Sequence, residues 1–381
     1  MTETDSAALH RRLFTFDTHI DTPTASLLQP GWDFAQAHDF AVDGSQCDLP
    51  RMREGGIDAL MFAVYSTQGA RTLPGFGAAH ARAMRIFERT REVIRQHATR
   101  CGLALTADDG PRLKAQDRCA IYLSIENSYS LGLDVGNVAK FHGFGMRMLG
   151  LTHMLNNDVV DSSTDPRGPE WGGLSPFGRD VVAECNRLGI VLDASHASDA
   201  ALAELLERSE LPVVLSHSGC RAVCDHPRNI GDDLLRALAA KGGVIQINAL
   251  PIAVVPTRED GRTAALSDLL LKLGDTVLTP EALAATRSEW LRIEQTYPNP
   301  PATLEDYVQH IEHAVAVAGI DHVGIGCDFD GGGGVRGLNS VADYPNLTAA
   351  LLVRGWSGSN LAKLWGANTV RVLRAAGHPS A

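Results

Sequence analysis

Four histidines and three acidic residues stand at or near the ends of short apolar runs in this sequence. His19 and Asp21 close one run, Glu126 a second and His153 a third, while His196, His217 and Asp328 end or follow three more. Imidazole and carboxylate without thiolate form a ligand set that suits zinc, with iron, manganese and cobalt as further candidates. Residues two apart on a strand face the same way, so His19 and Asp21 project together, as a chelate requires. The whole set offers more ligands than one tetrahedral ion uses. Two ions about 3.5–4 Å apart need a bridging anion, and Glu126 is the natural one. Asp193, three residues before His196, reads as the acceptor for that ring's second nitrogen, or as a cap within its own loop.

Other reactive residue types read as structural. His310 and His313 share a helix face away from any strand end, and His322 precedes its run, at the wrong end of the element. Cys220 and Cys224 are spaced C-x3-C, but the second cysteine pair that a structural zinc site calls for is not nearby. Ser175, Ser195 and Ser216 lack the Gly-x-Ser-x-Gly surroundings of a nucleophile. His226 alone among the remaining histidines lies close enough to a run's end to reach a substrate.

The elements that must position these groups are eight apolar runs, at 14–21, 58–66, 119–127, 145–153, 189–195, 212–218, 243–248 and 322–328. Near-continuous apolar runs are the mark of strands buried on both faces. Helical patterns separate most of them, for example 78–98 and 176–188. The second of these has Ser175 as N-cap, Pro176 at the first helical position and Gly189 past its end. Eight strands alternating with helices predict an α/β fold, a TIM-type (β/α)8 barrel whose chemistry sits at the C-terminal mouth. Two connections are long. Residues 67–118 hold one helix plus irregular chain. Residues 257–319 hold helical patterns at 263–273, 280–295 and 304–318, read as an insertion before the last strand. Residues 1–381 then form a single barrel domain, with a small helical subdomain as the alternative.

Composition narrows the class. The chain has 381 residues and a formal charge of 34 − 45 = −11, with 44% apolar and 21% charged residues, which excludes wholesale disorder. The acidic balance argues against a nucleic-acid partner, since phosphate contacts need clustered Lys and Arg. No run approaches the roughly 18 apolar residues of a membrane span. The opening Met-Thr-Glu-Thr-Asp-Ser lacks the order of a secretory signal. Seven scattered cysteines favour reduced thiols and a cytoplasmic location.

These segments resemble the membrane (renal) dipeptidase family of zinc dipeptidases, including its soluble bacterial members. The resemblance rests on Asp17-Thr18-His19-Ile20-Asp21-Thr22-Pro23, Cys47-Asp48-Leu49-Pro50-Arg51, Gly150-Leu151-Thr152-His153 with Asn156 and Asn157, and Gly173-Leu174-Ser175-Pro176-Phe177-Gly178. Asp193-Ala194-Ser195-His196, Ser216-His217-Ser218, His226-Pro227-Arg228-Asn229 and Gly324 to Gly331 follow in order, so it spans nearly the whole chain. It implies two zinc ions per chain, His19 and Asp21 on the first, His196 and His217 on the second, and Glu126 across both. It further implies that His153 contacts substrate and the tetrahedral oxygen, that Arg228, with Asn229 beside it, grips the terminal carboxylate, and that Asp328 transfers protons. The implied reaction is hydrolysis of dipeptides, including those with a C-terminal D-residue, by a shared water made acidic between the ions. A small peptide is the expected partner, and a homodimer is admitted. The family's tyrosine after strand seven falls near Leu250, so one polar substrate contact is expected to be missing and the pocket to favour apolar side chains. The animal members' signal peptide, lipid-anchor tail and disulfide pairs are absent from the sequence. A binuclear amidohydrolase acting on a cyclic amide, lactone or N-acyl amino acid is the alternative. It is disfavoured because such barrels carry His-x-His on strand one and a modified lysine on strand four. A metal-retaining protein without catalysis is the remaining reading.

Overall fold

Each apolar run becomes a parallel strand in the computed structural model, which describes residues 3–257 and 261–377. The strands are β1 (Phe16–Ile20), β2 (Ala59–Tyr65), β3 (Cys119–Glu126), β4 (Met146–Gly150), β5 (Val191–Asp193), β6 (Val214–Cys220), β7 (Val244–Ile247) and β8 (Val323–Ile325). Each pairs with the next from β1 to β8, and Asp17 opposite Ile325 joins β8 back to β1. The barrel is therefore closed, and no edge is left among these eight. Two short extra strands, Cys101–Leu103 and Asn229–Ile230, lie against the start of β3 and the end of β6.

Both faces of the strands are buried, which is why the runs read as continuous rather than alternating. Phe16, Met61, Tyr122, Met148, Val191 and Val244 fill the barrel interior, and helix Asn368–Ala376 closes its base through Val370 and Leu373. The alternate residues, such as Leu60, Ile121, Ile245 and Ile325, pack outward against the helices. Helix Pro176–Leu188 has the expected bounds. The Ser175 side chain accepts from the Gly178 N–H, and Gly189 takes a left-handed φ of 71°.

The long connection before β8 holds helices Arg262–Gly274, Pro280–Thr296 and Leu304–Ala318. The first two pack on each other and on the loop after β4, burying Leu269, Leu270, Leu273 and Ile293 with Leu155. The third returns to the barrel, where Tyr307 donates to the carbonyl of Ile247 at 2.8 Å. Among the described residues, no helix is long and apolar enough to cross a membrane.

Three expectations shift by a few residues. β4 ends at Gly150, so His153 sits on a following turn closed by Thr152 Oγ1 donating to Leu155 O at 2.7 Å. β6 runs on to Cys220, and β8 stops at Ile325. His322 sits as read, facing Gly243 O at the barrel's base. His310 is structural too, but it lies at the strand end from which it was expected to be remote. It is buried, with Nδ1 accepting from the N–H of Cys220, the last residue of β6, at 3.0 Å and Nε2 facing Val254 O at 2.9 Å. Cys220 and Cys224 point at separate carbonyls, those of His310 and Ile252.

His10 ties the first helix to the rest, with Nδ1 2.7 Å from Thr348 Oγ1 and Nε2 2.8 Å from Gly55 O. Burial is the main reason its pKa falls from 6.5 to about 4. Between those values the unfolded chain binds a proton that the folded one refuses, so stability falls as pH drops through this window. The loss should be about 3 kcal/mol and should be missing from His10→Gln. Denaturant titrations of both proteins between pH 7 and 4 check this, and parallel losses would refute it.

Candidate metal centre and active site

The site is built around Glu126, the last residue of β3, whose side chain is nearly inaccessible to solvent. Its two oxygens face opposite groups. Oε2 lies 3.5 Å from His19 Nε2, which is itself 3.3 Å from Asp21 Oδ2. Oε1 lies 3.2 Å from His196 Nε2 and 3.6 Å from His217 Nε2. Asp328 Oδ1 stands 4.0 Å from His19 Nε2, and His153 Nε2 stands 3.7 Å from Glu126 Oε1. Six side chains from five other strands or their following loops thus gather around one carboxylate.

Local chemistry favours a cation here. His19 Nε2 is buried without a hydrogen-bond partner, and His196 Nε2 and His217 Nε2 face each other at 2.8 Å, lone pairs converging unless a proton or an ion separates them. Burial alone would lower the pKa of His19, but Glu126 and Asp21 together raise it well above the ordinary value. Burial raises Asp21 and Asp328, and the charge of Glu126 adds to both shifts. Burial holds His196 and His217 well below the usual histidine range and takes His153 to about 3, with Arg228 adding to each. The neutral rings of His196 and His217 offer lone pairs, and the carboxylates around His19 favour positive charge, which together suit a divalent ion.

The backbone is shaped to present these groups. Among the described residues, four of the five non-glycine positions with positive φ lie here: Asn127, His196, Asp328 and Asp330. Left-handed backbone outside glycine is costly and clusters at functional sites. Asp17, buried on β1, accepts from His19 N–H, Cys327 N–H and the Tyr344 hydroxyl, which ties the first ligand strand to the Asp328 loop. Asp330 is held by Thr22 Oγ1 and Gln46 N–H, both at 2.5 Å, so its carboxylate is engaged in joining two loops.

One expectation needs correction. Asp193 does not hold His196. Its Oδ1 accepts from the N–H groups of Ser195 and Ser216, and its Oδ2 accepts from Ser216 Oγ at 2.6 Å. With its proton given to Asp193, Ser216 Oγ receives Nδ1–H of His217 at 2.8 Å, leaving His217 Nε2 as the free lone pair. The carboxylate therefore orients the other histidine, one residue removed. Asn229, expected beside the substrate, spends both amide hydrogens on the carbonyls of Cys224 and Ala253 at 2.8 Å and so fixes the loop that carries Arg228.

Arg228 itself is buried at the mouth, with Nη2 donating to His217 O at 3.0 Å. His226 accepts from the Arg228 N–H through Nδ1, which makes it part of that loop's scaffold. Leu250 lies against the glycine loop after β8, where a Cβ at Gly332 would come within 3.3 Å of it. Tyr65 escaped the sequence reading. It ends β2 directly opposite Glu126, and its ring lies 4.7 Å from that of His153. Its phase with the inward Ala59 and Met61 was the available signal.

Barrel and site together define a metal-dependent hydrolase. The chain belongs to the membrane dipeptidase family (peptidase family M19), whose model matches residues 3–380. It is 33% identical over 352 residues to dipeptidase tcpJ of Claviceps purpurea, covering 88% of this chain and 73% of that one. It is 28% identical over 373 residues to dipeptidase 3 of Rattus norvegicus, covering 96% and 66%. The probable dipeptidase PvdM from Pseudomonas aeruginosa superposes with a TM-score of 0.85 at 29% identity over 98% of each chain. A metallopeptidase from Rhodobacter sphaeroides, liganded with a phosphinate mimic of the dipeptide L-Ala-D-Ala, shares the fold with a TM-score of 0.77 at 24% identity, covering 96% of this chain and 99% of that one. The protein is a metal-dependent dipeptidase, which decides against the cyclic-amide and non-catalytic readings.

Gly331 tests the geometry, because a Cβ there would fall 2.2 Å from Asp21 Oδ2 and 2.3 Å from Asp328 Oδ1. Gly331→Ala should displace both carboxylates, so the purified variant should retain less metal and lose most of its dipeptidase activity. Elemental analysis and turnover matching the unmutated protein would show that the loop yields without disturbing the site.

Proposed function

We propose that the protein holds two zinc ions per chain, bridged by Glu126, and cleaves dipeptides that carry a free C-terminal carboxylate. The carrying observation is the division of Glu126, with Oε2 toward His19 and Asp21 and Oε1 toward His196 and His217. When bound there, two such ions supply a water acidified to near-neutral pKa and a Lewis acid for the peptide carbonyl. The chain's own residues do the rest. Asp328 takes the proton of the attacking water and passes it to the leaving amine. His153, kept neutral by burial and by Arg228, donates to the carbonyl oxygen as it gains charge. Arg228 pairs with the substrate carboxylate, whose distance from the scissile bond then sets the length to one residue. The dipeptide mimic bound by the Rhodobacter sphaeroides metallopeptidase supports this substrate class and a D-residue at the C-terminal position.

Residues 262–318 are best read as an insertion on the same catalytic domain, since their helices pack on the loop after β4 and on the barrel. Seven buried, unbonded cysteines support a reducing, cytoplasmic setting.

Zinc-loaded protein should contain close to two metal equivalents and release free amino acids from dipeptides faster than from tripeptides or dipeptide amides. Chelated protein should do neither until zinc, cobalt or manganese is restored. Activity that survives complete metal removal would overturn the proposal. Asp328→Asn should keep its metal while kcat falls by roughly 10²–10⁴. A variant with near-native kcat would reduce Asp328 to a structural group.

A further inference from the structure

Strand β7 contributes none of the groups above, yet the residue that follows it is polar and buried. Asn248 is 1% exposed, and neither its Oδ1 nor its Nδ2 has a hydrogen-bond partner among the described residues. A buried carboxamide with both ends unpaired is among the costlier things a folded chain can carry, and native structures rarely leave one unexplained.

Its direction follows from the strand. Ile245, Ile247 and Ala249 belong to the outer core between barrel and helices, whereas Val244 lines the interior. Gln246 and Asn248 share the phase of Val244 and point inward. Gln246 is one layer down and Asn248 is at the mouth. Its own N–H donates to Ser218 O at 3.0 Å, next to the His217 carbonyl that receives Arg228 Nη2. On the other side, β8 leads into the Asp328 loop, and Ala249 N–H reaches Cys327 O. The amide therefore lies between the guanidinium that would take a carboxylate and the acid that would protonate the leaving nitrogen.

We infer that Asn248 binds the C-terminal residue of the substrate. Nδ2–H donates to its carboxylate beside Arg228, and Oδ1 accepts from the N–H of the scissile amide, which becomes the amine of the product. A primary amide offers one donor edge and one acceptor edge, and an α-amino carboxylate offers their complements. The inference rests on the dipeptide reading above and adds a group that reads the α-substituents rather than the side chain.

The test uses zinc-loaded Asn248→Leu and Asn248→Asp with alanyl-alanine as substrate, free alanine as product inhibitor and alanyl-alanine amide as control. Asn248→Leu should raise KM and the alanine inhibition constant together, by roughly tenfold to hundredfold, the usual scale for hydrogen bonds to charged groups. The amide, which lacks the carboxylate, should be affected less. Asn248→Asp keeps the acceptor and sets a negative charge against the carboxylate, so it should be the weaker binder of the two. Metal content should be unchanged, and the Tm of substrate-free Asn248→Leu should hold or rise, because the unpaired atoms are gone. If that variant does not fold, Asn248→Ala is measured in the same way. A lowered Tm with an unchanged inhibition constant would overturn the inference in favour of a structural role, as would KM and inhibition constants within twofold of the unmutated protein. If Arg228→Ala still shifts both constants while the Asn248 variants do not, only this inference fails. An unmutated, zinc-loaded protein that leaves alanyl-alanine intact would overturn the dipeptide reading itself.

Discussion

Mutual repulsion among Asp21, Glu126 and Asp328, three buried carboxylates gathered near one imidazole, is the constraint on which the rest of the molecule depends. Burial raises the pKa of Asp21 and of Asp328, and the nearby charge of Glu126 adds to both shifts. Protons could relieve the repulsion only partly, because His196, His217 and His153 are held neutral by burial and by Arg228. Two divalent ions would supply four positive charges against these three carboxylates and an ionised water. The remaining charge of Arg228 would then match the single carboxylate of an incoming peptide. Burial lowers the pKa of Arg228, and the nearby charges of Asp328, Glu126 and Asp193 oppose that.

Holding such a cluster before any ion arrives requires a stiff backbone, and the sequence provides it in a recurring form. Buried acids accept from main-chain N–H groups of two separate strands or loops at once. Asp17 does so for β1 and the Asp328 loop and Asp193 for β5 and β6, while the half-buried Asp330 joins Gln46, through its N–H, to the Thr22 hydroxyl. Bonds of this kind are charge-assisted, so each fixes position as well as supplying stability. The left-handed backbone at His196 and Asp328 is tolerable because these braces over-determine it. Gly331 completes the arrangement by leaving open the space that two carboxylates occupy.

Much of this was legible in the residues. Strands buried on both faces leave an unmistakable trace, and barrel topology forces whatever ends them to one mouth, so His19, Asp21, Glu126, His196, His217 and Asp328 could be brought together without coordinates. What was not legible depends on which partner a side chain chooses. Asp193 is near His196 in sequence, yet it bonds Ser216 because β5 and β6 lie side by side and a serine hydroxyl fills the gap. Asn229 reads beside Arg228 in sequence, yet its amide hydrogens go to the carbonyls of Cys224 and Ala253, partners that only the folded loop supplies. Tyr65 and Asn248 were missed for the opposite reason. Neither type signals chemistry alone, and only the inward phase of β2 and β7 gives them meaning.

The structure also separates two kinds of precision. Most of the candidate ligands end strands or follow them closely, so their geometry is that of the barrel. His153 and Arg228 sit on loops, and their positions are inherited from what those loops pack against. The turn that presents His153 is anchored by Leu155, which is buried among Leu269, Leu270, Leu273 and Ile293 of the helical insertion. Ala70, in the loop after β2, donates its N–H to Thr276 O in the turn between those two helices, and Arg167 donates to Leu271 O and to Asp275. The insertion therefore braces the rim on the side that carries His153. A substitution among Leu269, Leu270, Leu273 and Ile293 would reach the turn of His153 through Leu155, while the residues that end β1, β3 and β6 are held by the barrel itself.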